Sequence, residues 1–173
     1  ALVEALLSEA MESGLVKDAV LASSLDQRDD FWRIRESLPE AQTREGASIK
    51  HDISVPIGDV PRLISRVVSD VEKLVPGVRP VPFGHMGDGN LHFNLQGPVD
   101  MDDKAFMAQA EIIHACVYGH VIALDGSVSA EHGIGQLKRK QLSETKSTAA
   151  LELMRRIKKV FDPDNRFNPG KIL

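Results

Sequence analysis

The 173-residue sequence has one cysteine, few aromatic side chains and no long apolar run. Because Cys116 is the single cysteine, no intrachain disulfide can form, and this favours a reducing compartment such as the cytoplasm. No apolar stretch approaches the roughly 20 residues that cross a bilayer, so no membrane span is predicted. The net charge of −4 comes with interspersed signs, and the absence of a basic cluster argues against nucleic-acid binding.

The composition is otherwise that of an ordinary globular protein. Hydrophobic residues make up 42% and charged residues 27% of a chain long enough for one sizeable core. The sequence begins at Ala1, without methionine, and enters a helical pattern at once. We therefore expect it to be part of a longer protein.

A β-hairpin is predicted over residues 84–94, because Asp88-Gly89 is a favoured type I′ loop. Such a loop would pair Gly87 with Asn90, Met86 with Leu91 and His85 with His92. The Cβ atoms of the two histidines would then lie about 5 Å apart, on one face together with Asn94. Leu91, Phe93 and Leu95 would point to the opposite, buried face. Two imidazoles at that separation can bind a divalent ion, and the alternative is a polar turn on a solvated sheet face.

Periodicity and capping residues predict an α+β fold with an antiparallel sheet, for which a ferredoxin-like sandwich with insertions is the natural candidate. Helices are expected over 2–13, 26–38, 59–75, 102–124 and 147–161, and strands over 17–23, 48–55 and the hairpin region 78–96. Three helices carry apolar stripes that we expect to be buried: Phe31, Ile34 and Leu38; Leu63, Ile64, Val67, Val68, Val71 and Leu74; and Leu153, Ile157, Val160 and Phe161.

The strand over 48–55 alternates between two faces. His51 shares the apolar face and is expected to be a structural histidine, whereas Lys50 shares the other face with Asp52 and is either a solvated charge or a partner for Asp52. His114 and His120 are six residues apart on a helix, which is not a same-face spacing, so we do not expect them to be ligands.

Two further stretches carry polar groups whose role the pattern leaves open. Residues 125–135 are rich in glycine and predict a loop with an adjacent Glu131-His132 pair, which could simply be solvated. Arg28, Trp32 and Arg35 form a helical stripe that is either solvated or lines an anion pocket.

Four stretches of the chain together resemble the C-terminal, substrate-side domain of FAD-linked D-2-hydroxyacid dehydrogenases. They are FWRIRE at 31–36, KHDISVP at 50–56, the 84–94 hairpin with SAEHGIG at 129–135, and the tail over 161–171. That family includes D-2-hydroxyglutarate dehydrogenase, cytochrome-linked D-lactate dehydrogenase and the glycolate oxidase D subunit. The resemblance implies that most of the FAD is bound by an N-terminal domain of the vanillyl-alcohol-oxidase type, which this sequence does not contain.

The resemblance also implies roles for individual residues. It assigns His85, His92 and Glu131 as ligands of a divalent metal, usually zinc, and His132 as the general base. It places Arg35, Lys50 and Asn94 at the substrate. Glu131, His132 and Asn168 would lie at the cofactor, Asn168 within a flavin-facing tail over 162–173.

The implied reaction is oxidation of a small D-2-hydroxyacid to the 2-oxoacid with hydride transfer to flavin. Hydroxyglutarate-specific members carry threonine four residues after the motif arginine, where this chain has Pro39, so D-lactate, D-2-hydroxyglutarate and glycolate all stay open. The resemblance leaves the electron acceptor undefined, and it is compatible with a homodimer and with a peripheral membrane location through that acceptor. The alternatives are a non-catalytic metal- or acid-binding regulatory module and a domain with purely structural zinc.

Overall fold

A computed structural model describes residues 2–85 and 87–173. The chain divides into two compact units, one ending at Arg44 and the other spanning Glu45–Leu173. Among the described residues, no helix is long and apolar enough to cross a membrane.

The first unit consists of two helices, α1 (Leu2–Glu12) and α2 (Leu25–Thr43). Ser24 caps α2, one residue before the helix begins, and its hydroxyl accepts the Gln27 N–H at 3.2 Å. The helix continues past Pro39 to Thr43. The strand predicted over 17–23 is wrong, since the described residues of this unit contain no strand.

The apolar stripe predicted on α2 is not buried. The exposed fractions are 42% for Phe31, 63% for Ile34 and 40% for Leu38. An apolar stripe needs an apposed apolar surface to be removed from water. The only buried α2 residue is Gln42.

The second unit carries a small antiparallel sheet and five helices within its described residues. In chain order the elements are β1 (Ser48–Ile49), β2 (Asp52–Ser54), a 3₁₀ turn (Ile57–Asp59), α3 (Val60–Leu74), β3 (Arg79–Gly84), β4 (Asn90–Gln96), α4 (Asp103–Met107), α5 (Ala110–Ile122), α6 (Arg139–Thr145) and α7 (Thr148–Phe161).

Strand β4 is the centre of the sheet. It pairs with β3 on one side and with both β1 and β2 on the other. An isolated bridge between Ser54 and Ser127 extends the sheet beyond β2. If β1 and β2 are taken as one interrupted strand and Ser127 as a vestigial last strand, the order is βαββαβ, as in ferredoxin-like sandwiches. The α+β prediction is therefore confirmed.

The core lies between one face of this sheet and the helices α3 and α5. The predicted stripe of α3 is buried at Leu63, Val67 and Val71, although Leu74 is 43% exposed. The opposing sheet residues are Ile49, Ile53, Leu91, Phe93 and Leu95, and α5 contributes Ile113, Val117 and Val121. The predicted burial of the Leu91, Phe93 and Leu95 face is thus confirmed.

The hairpin register differs from the prediction by two residues. His92 pairs with Phe83 and Leu91 with Gly84, so His92 is not directly opposite His85. A type I′ turn would require a positive φ at Asp88, but Asp88 is not among the non-glycine residues with positive φ. Its carboxylate instead accepts the Asn90 N–H at 2.9 Å. A longer connection results. The predicted pairing of Met86 falls on a residue outside those described.

This displacement leaves both histidines on the same face of the sheet. Side chains alternate with a period of two, so a two-residue slip changes the partner but not the face. The new register makes His85 and His92 diagonal neighbours. Gly89 fits the connection because its φ is +73° and because an added Cβ would lie 2.0 Å from the Val55 carbonyl oxygen.

Two helical predictions also need correction. The helix expected over 102–124 is divided after Met107, where the Gln109 N–H bonds to the Phe106 carbonyl in a tighter turn at 2.9 Å. Helix α7 has the expected bounds, but its predicted buried residues are exposed: Leu153 59%, Ile157 51%, Val160 76% and Phe161 80%. The core face of the sheet is already covered by α3 and α5, and only Leu151 of α7 is buried.

Candidate metal and substrate site

The face of β4 opposite the core is polar. Asn90 and Asn94 are buried on it, and His92 between them is half-buried. Asp52 is the cross-strand partner of His92 on β2, which extends this polar face to the neighbouring strand. Asn94 is two residues from His92 along the same face, about 7 Å away by strand geometry.

Glu131 lies between the two hairpin histidines. Its Oε1 is 3.7 Å from Nδ1 of His85, and its Oε2 is 3.9 Å from Nε2 of His92. The Asn90 side-chain amide also donates to Oε1. The side chains of His85 and Glu131 are each 43% exposed. The structure therefore brings together three residues that are distant in sequence, with one carboxylate oxygen facing each imidazole.

Asp52 holds the backbone next to this carboxylate in place. Its Oδ2 accepts the N–H of Glu131 at 3.0 Å and the N–H of His132 at 2.8 Å. Burial is the largest single influence and would raise the pKa of Asp52, but these two backbone donors together with the nearby His132 and Lys138 side chains hold the pKa below its usual range. Lys50 is exposed, as one of its two expected alternatives has it, and the lysine beside the buried Asp52 is Lys138, with Nζ 3.9 Å from Oδ2.

A second grouping of possible metal ligands includes this aspartate. Ligand atoms of Asp52, Glu131 and His132 lie within 4.8 Å of one another, the one such cluster among the described residues. The Asp52 oxygens, however, are already occupied by backbone donors, and a ligand role would break these bonds. His85, His92 and Glu131 do not form so compact a group, and Nδ1 of His85 also lies 3.2 Å from Oδ2 of Asp88.

His132 lies over His92. The two rings are stacked with centroids 5.8 Å apart, and Nδ1 of His132 is 3.7 Å from Oδ2 of Asp52. The His132 side chain is 67% exposed, so its other nitrogen is accessible to a molecule bound on this face. An imidazole in this position can accept a proton from such a molecule.

Within the described part of the second unit, neither Lys50 nor Asn168 forms a hydrogen bond or ion pair with His85, His92 or Glu131. Lys50 is exposed at the break between β1 and β2. Arg35 is half-buried on α2, in the first unit. Asn168 is exposed and has a positive φ of 48°.

The tail containing Asn168 is held by hydrogen bonds from its backbone. The buried Asp162 carboxylate accepts the N–H of Arg166 at 2.8 Å and of Phe167 at 2.9 Å. Further on, the Ile172 N–H donates to the Gly135 carbonyl at 2.7 Å. This last bond joins the tail to the segment that follows Glu131 and His132. The ring of Phe167 is exposed.

On the core face, a separate pair of histidines is held by hydrogen bonds within the core. His51 Nδ1 lies 2.8 Å from the Phe93 carbonyl oxygen, and its Nε2 lies 2.8 Å from Nδ1 of His114. Because a carbonyl can only accept, Nδ1 of His51 carries the hydrogen and Nε2 accepts from His114. Burial is the main cause that lowers the pKa of His51 to about 3. This histidine is therefore neutral and structural.

Comparison with known proteins gives a consistent result along the whole chain. The family model for FAD linked oxidases, C-terminal domain, matches residues 1–172. The chain is 38% identical over 168 residues to D-2-hydroxyglutarate dehydrogenase of Stutzerimonas stutzeri, covering 97% of this chain and 36% of that protein. It is 38% identical to the mitochondrial enzyme of the same name from Arabidopsis thaliana, covering 99% of this chain and 29% of that protein.

A fish relative agrees with these two. The mitochondrial D-2-hydroxyglutarate dehydrogenase of Danio rerio is 38% identical over 169 residues, covering 96% of this chain and 30% of that protein. The chain thus spans about a third of the length of the curated relatives that it matches.

Proposed function

Because this chain belongs to the FAD linked oxidase C-terminal domain family, we propose that it is the substrate-side domain of an FAD-dependent enzyme that oxidises a D-2-hydroxyacid to the 2-oxoacid. The observation that carries the proposal is the position of Glu131, whose two carboxylate oxygens face His85 and His92 on an accessible sheet face. The relatives bear the name of an enzyme for one such acid.

The chemistry of this donor set fits a divalent cation such as zinc. Two imidazoles and one carboxylate are a common protein ligand set for catalytic zinc, which keeps a further position for water or substrate. The exposure of His85 and Glu131 supports an open site over a closed structural one. When bound, the cation would stabilise negative charge on the substrate hydroxyl oxygen, and the flavin would accept hydride.

The chain's own residues would bind the acid and take its proton. His132, stacked on His92 and accessible, would accept the α-hydroxyl proton. Asn94 would donate a hydrogen bond from the same sheet face. The cations of Arg35 and Lys50 would bind the substrate carboxylate, Arg35 through two parallel hydrogen bonds and Lys50 as a point charge.

At the cofactor, the tail over 162–173 would contact the flavin through Asn168. Its exposed amide and the exposed Phe167 ring offer a hydrogen-bonding group and an aromatic surface on a segment that is itself held by Asp162. Glu131 and His132 would lie at the same cofactor edge. This tail is bonded to Gly135, which supports a shared role for the two segments.

The proposed substrate is a class of small D-2-hydroxyacids and not one particular acid. Three relatives are named for D-2-hydroxyglutarate, whereas Pro39 offers no hydroxyl donor where hydroxyglutarate-specific members have threonine, so D-lactate and glycolate stay within the class. A cytoplasmic location and a homodimer are likewise proposals, and the plant and animal relatives are named as mitochondrial.

A zinc titration by isothermal calorimetry tests the metal site in this chain. We expect one zinc ion per chain, at least a 100-fold loss of affinity in the His85→Ala/His92→Ala variant, and a comparable loss in Glu131→Gln. The matched control is Glu152→Gln, which changes an exposed glutamate on α7 and should bind zinc like the parent. Equal affinity in all four proteins would remove the metal from the proposal.

A further inference from the structure

The loop over 129–133 carries Glu131 and His132 without belonging to a helix or strand. Its backbone is bonded to β2 instead. The Ala130 N–H donates to the Asp52 carbonyl at 3.3 Å, and the next two N–H groups donate to the Asp52 carboxylate. We propose that Asp52 is a positioning residue that fixes Glu131 and His132 against His92, a role that rests on the proposed metal-dependent oxidation.

The strand register explains why this position is suited to the task. Asp52 is the cross-strand partner of His92, so a single pair of opposed residues relates the loop to the strand that bears one ligand. Opposed residues in a sheet are held about 5 Å apart by the ladder itself. The carboxylate therefore fixes the loop relative to β4, although the loop lies nearly 80 residues further along the chain.

The bonds made by Asp52 are of a kind that holds a backbone firmly. An ionised carboxylate that accepts backbone N–H groups forms charge-assisted hydrogen bonds, which are stronger than neutral ones. Both oxygens take part, since Oδ1 also lies 3.2 Å from the Glu131 nitrogen. With the side chain only 3% exposed, water offers little competition for these donors. The direction of the Glu131 and His132 side chains follows from these fixed backbone positions.

Lys138 neutralises the buried carboxylate and holds the start of the same loop. Its Nζ lies 3.9 Å from Oδ2 of Asp52 and donates to the Val128 carbonyl at 2.8 Å. Its side chain is 16% exposed. Burial lowers the pKa of Lys138, whereas the charge of Asp52 acts in the opposite direction. Lys138 thus bonds Val128, the residue just before the loop, and Asp52 bonds Glu131 and His132 within the loop.

Asp52 also affects His132 through its ring. The distance of 3.7 Å between Oδ2 and Nδ1 of His132 places a fixed negative charge behind the imidazole that lies over His92. At this distance, which is longer than a hydrogen bond, the carboxylate acts on the ring by electrostatic attraction and so favours its orientation over His92. Asp52 is therefore a positioning residue for both groups and a catalytic residue for neither.

The test compares Asp52→Asn with Asp162→Asn. Asparagine keeps the size of the side chain but loses its negative charge, and only its amide oxygen can still accept the backbone donors, because the NH₂ group cannot. Asp162 is the matched control because it is also buried and also accepts two adjacent backbone N–H groups, those of Arg166 and Phe167. Cobalt(II) serves as the metal probe, because its visible absorption reports both affinity and ligand geometry.

The expected result is a 10- to 100-fold loss of cobalt affinity and an altered visible spectrum in Asp52→Asn, the range typical for groups that orient metal ligands. Asp162→Asn should bind cobalt like the parent. If the parent and Asp52→Asn bind cobalt equally well with the same spectrum, the positioning role is overturned.

A metal-free measurement separates this inference from the proposed function. Amide hydrogen exchange should become faster at Glu131 and His132 in Asp52→Asn, while the Ser54 amide, which donates to the Ser127 carbonyl at 3.0 Å, stays protected and reports an intact sheet. Unchanged exchange at the two loop amides would overturn the role of Asp52. A parent chain that binds no cobalt, with the exchange result as expected, would overturn the proposed metal function and leave Asp52 as the anchor of the loop.

Discussion

The histidines that lie on the two faces of the sheet have opposite environments. On the core face, His51 and His114 bond to each other, and His51 also bonds to the Phe93 carbonyl. On the other face, His85 and His92 each lie near an oxygen of the Glu131 carboxylate, and Nδ1 of His85 also lies 3.2 Å from Oδ2 of Asp88. The first pair is bonded within the core, whereas the second pair shares a carboxylate at the surface, and this makes the second pair a candidate ligand set.

The sharpest way to break this comparison is to remove one histidine from each face. We expect His92→Leu to lower zinc affinity at least 100-fold while changing the free energy of unfolding by no more than about 1 kcal/mol. His51→Leu should instead lower the free energy of unfolding and leave zinc affinity unchanged. It leaves the Phe93 carbonyl and a His114 nitrogen unpaired in the core, at a cost of about 2–4 kcal/mol, with zinc affinity unchanged.

Urea unfolding and zinc calorimetry on the same two variants measure both effects. The comparison fails if His51→Leu weakens zinc binding as much as His92→Leu does.

Acid stability gives a second, smaller effect that belongs to the core face. The pKa of His51 is about 3 in the folded chain and 6.5 as an ordinary value. Between those values the unfolded chain binds a proton that the folded chain does not, so stability is lost as the pH falls below about 6.5. The slope from this one group is at most about 1.4 kcal/mol per pH unit.

Urea unfolding at several pH values from 7 to 4, with His51→Leu as the control, measures this slope. A variant that loses stability with acid as steeply as the parent would rule out His51 as its source.

The smallest effect is expected at a histidine of α5 that belongs to neither pair. His120 lies 3.0 Å from Asp70, which also pairs with Lys73 at the surface. Exposed ion pairs of this kind contribute between 0 and about 1 kcal/mol. His120→Ala should therefore change stability by less than about 1 kcal/mol and leave zinc binding unaltered. Thermal unfolding and calorimetry check both, and a larger loss in either would mean that the distinction by face and partner is incomplete.

Local pattern was sufficient for the parts of the fold that depend on period alone. The alternation from Leu91 to Leu95 identified the buried face of β4, and the stripe of α3 identified most of its core residues. The error in the hairpin connection did not move His85 and His92 to different faces, because the register slip was even. The polar face of the candidate site was therefore predictable from sequence.

Contacts between segments that are distant in the chain could not be predicted from the sequence. The α7 stripe was correct in period, but whether it is buried depends on space that α3 and α5 already occupy. Asp52 was missed as an anchor because its donors are Glu131 and His132, far away in the chain and bonded through their backbone. Backbone donors leave no residue pattern, so the nearest available signal was only the polar alternation of Lys50 and Asp52.

The most direct test of the account is a crystal structure of the zinc-loaded chain with anomalous diffraction data collected at the zinc edge. We expect one strong peak about 2.0–2.2 Å from a ring nitrogen of His85, a ring nitrogen of His92 and a carboxylate oxygen of Glu131. A peak coordinated by Asp52 and His132 instead, or zinc found only at unrelated surface positions, would contradict the proposed site.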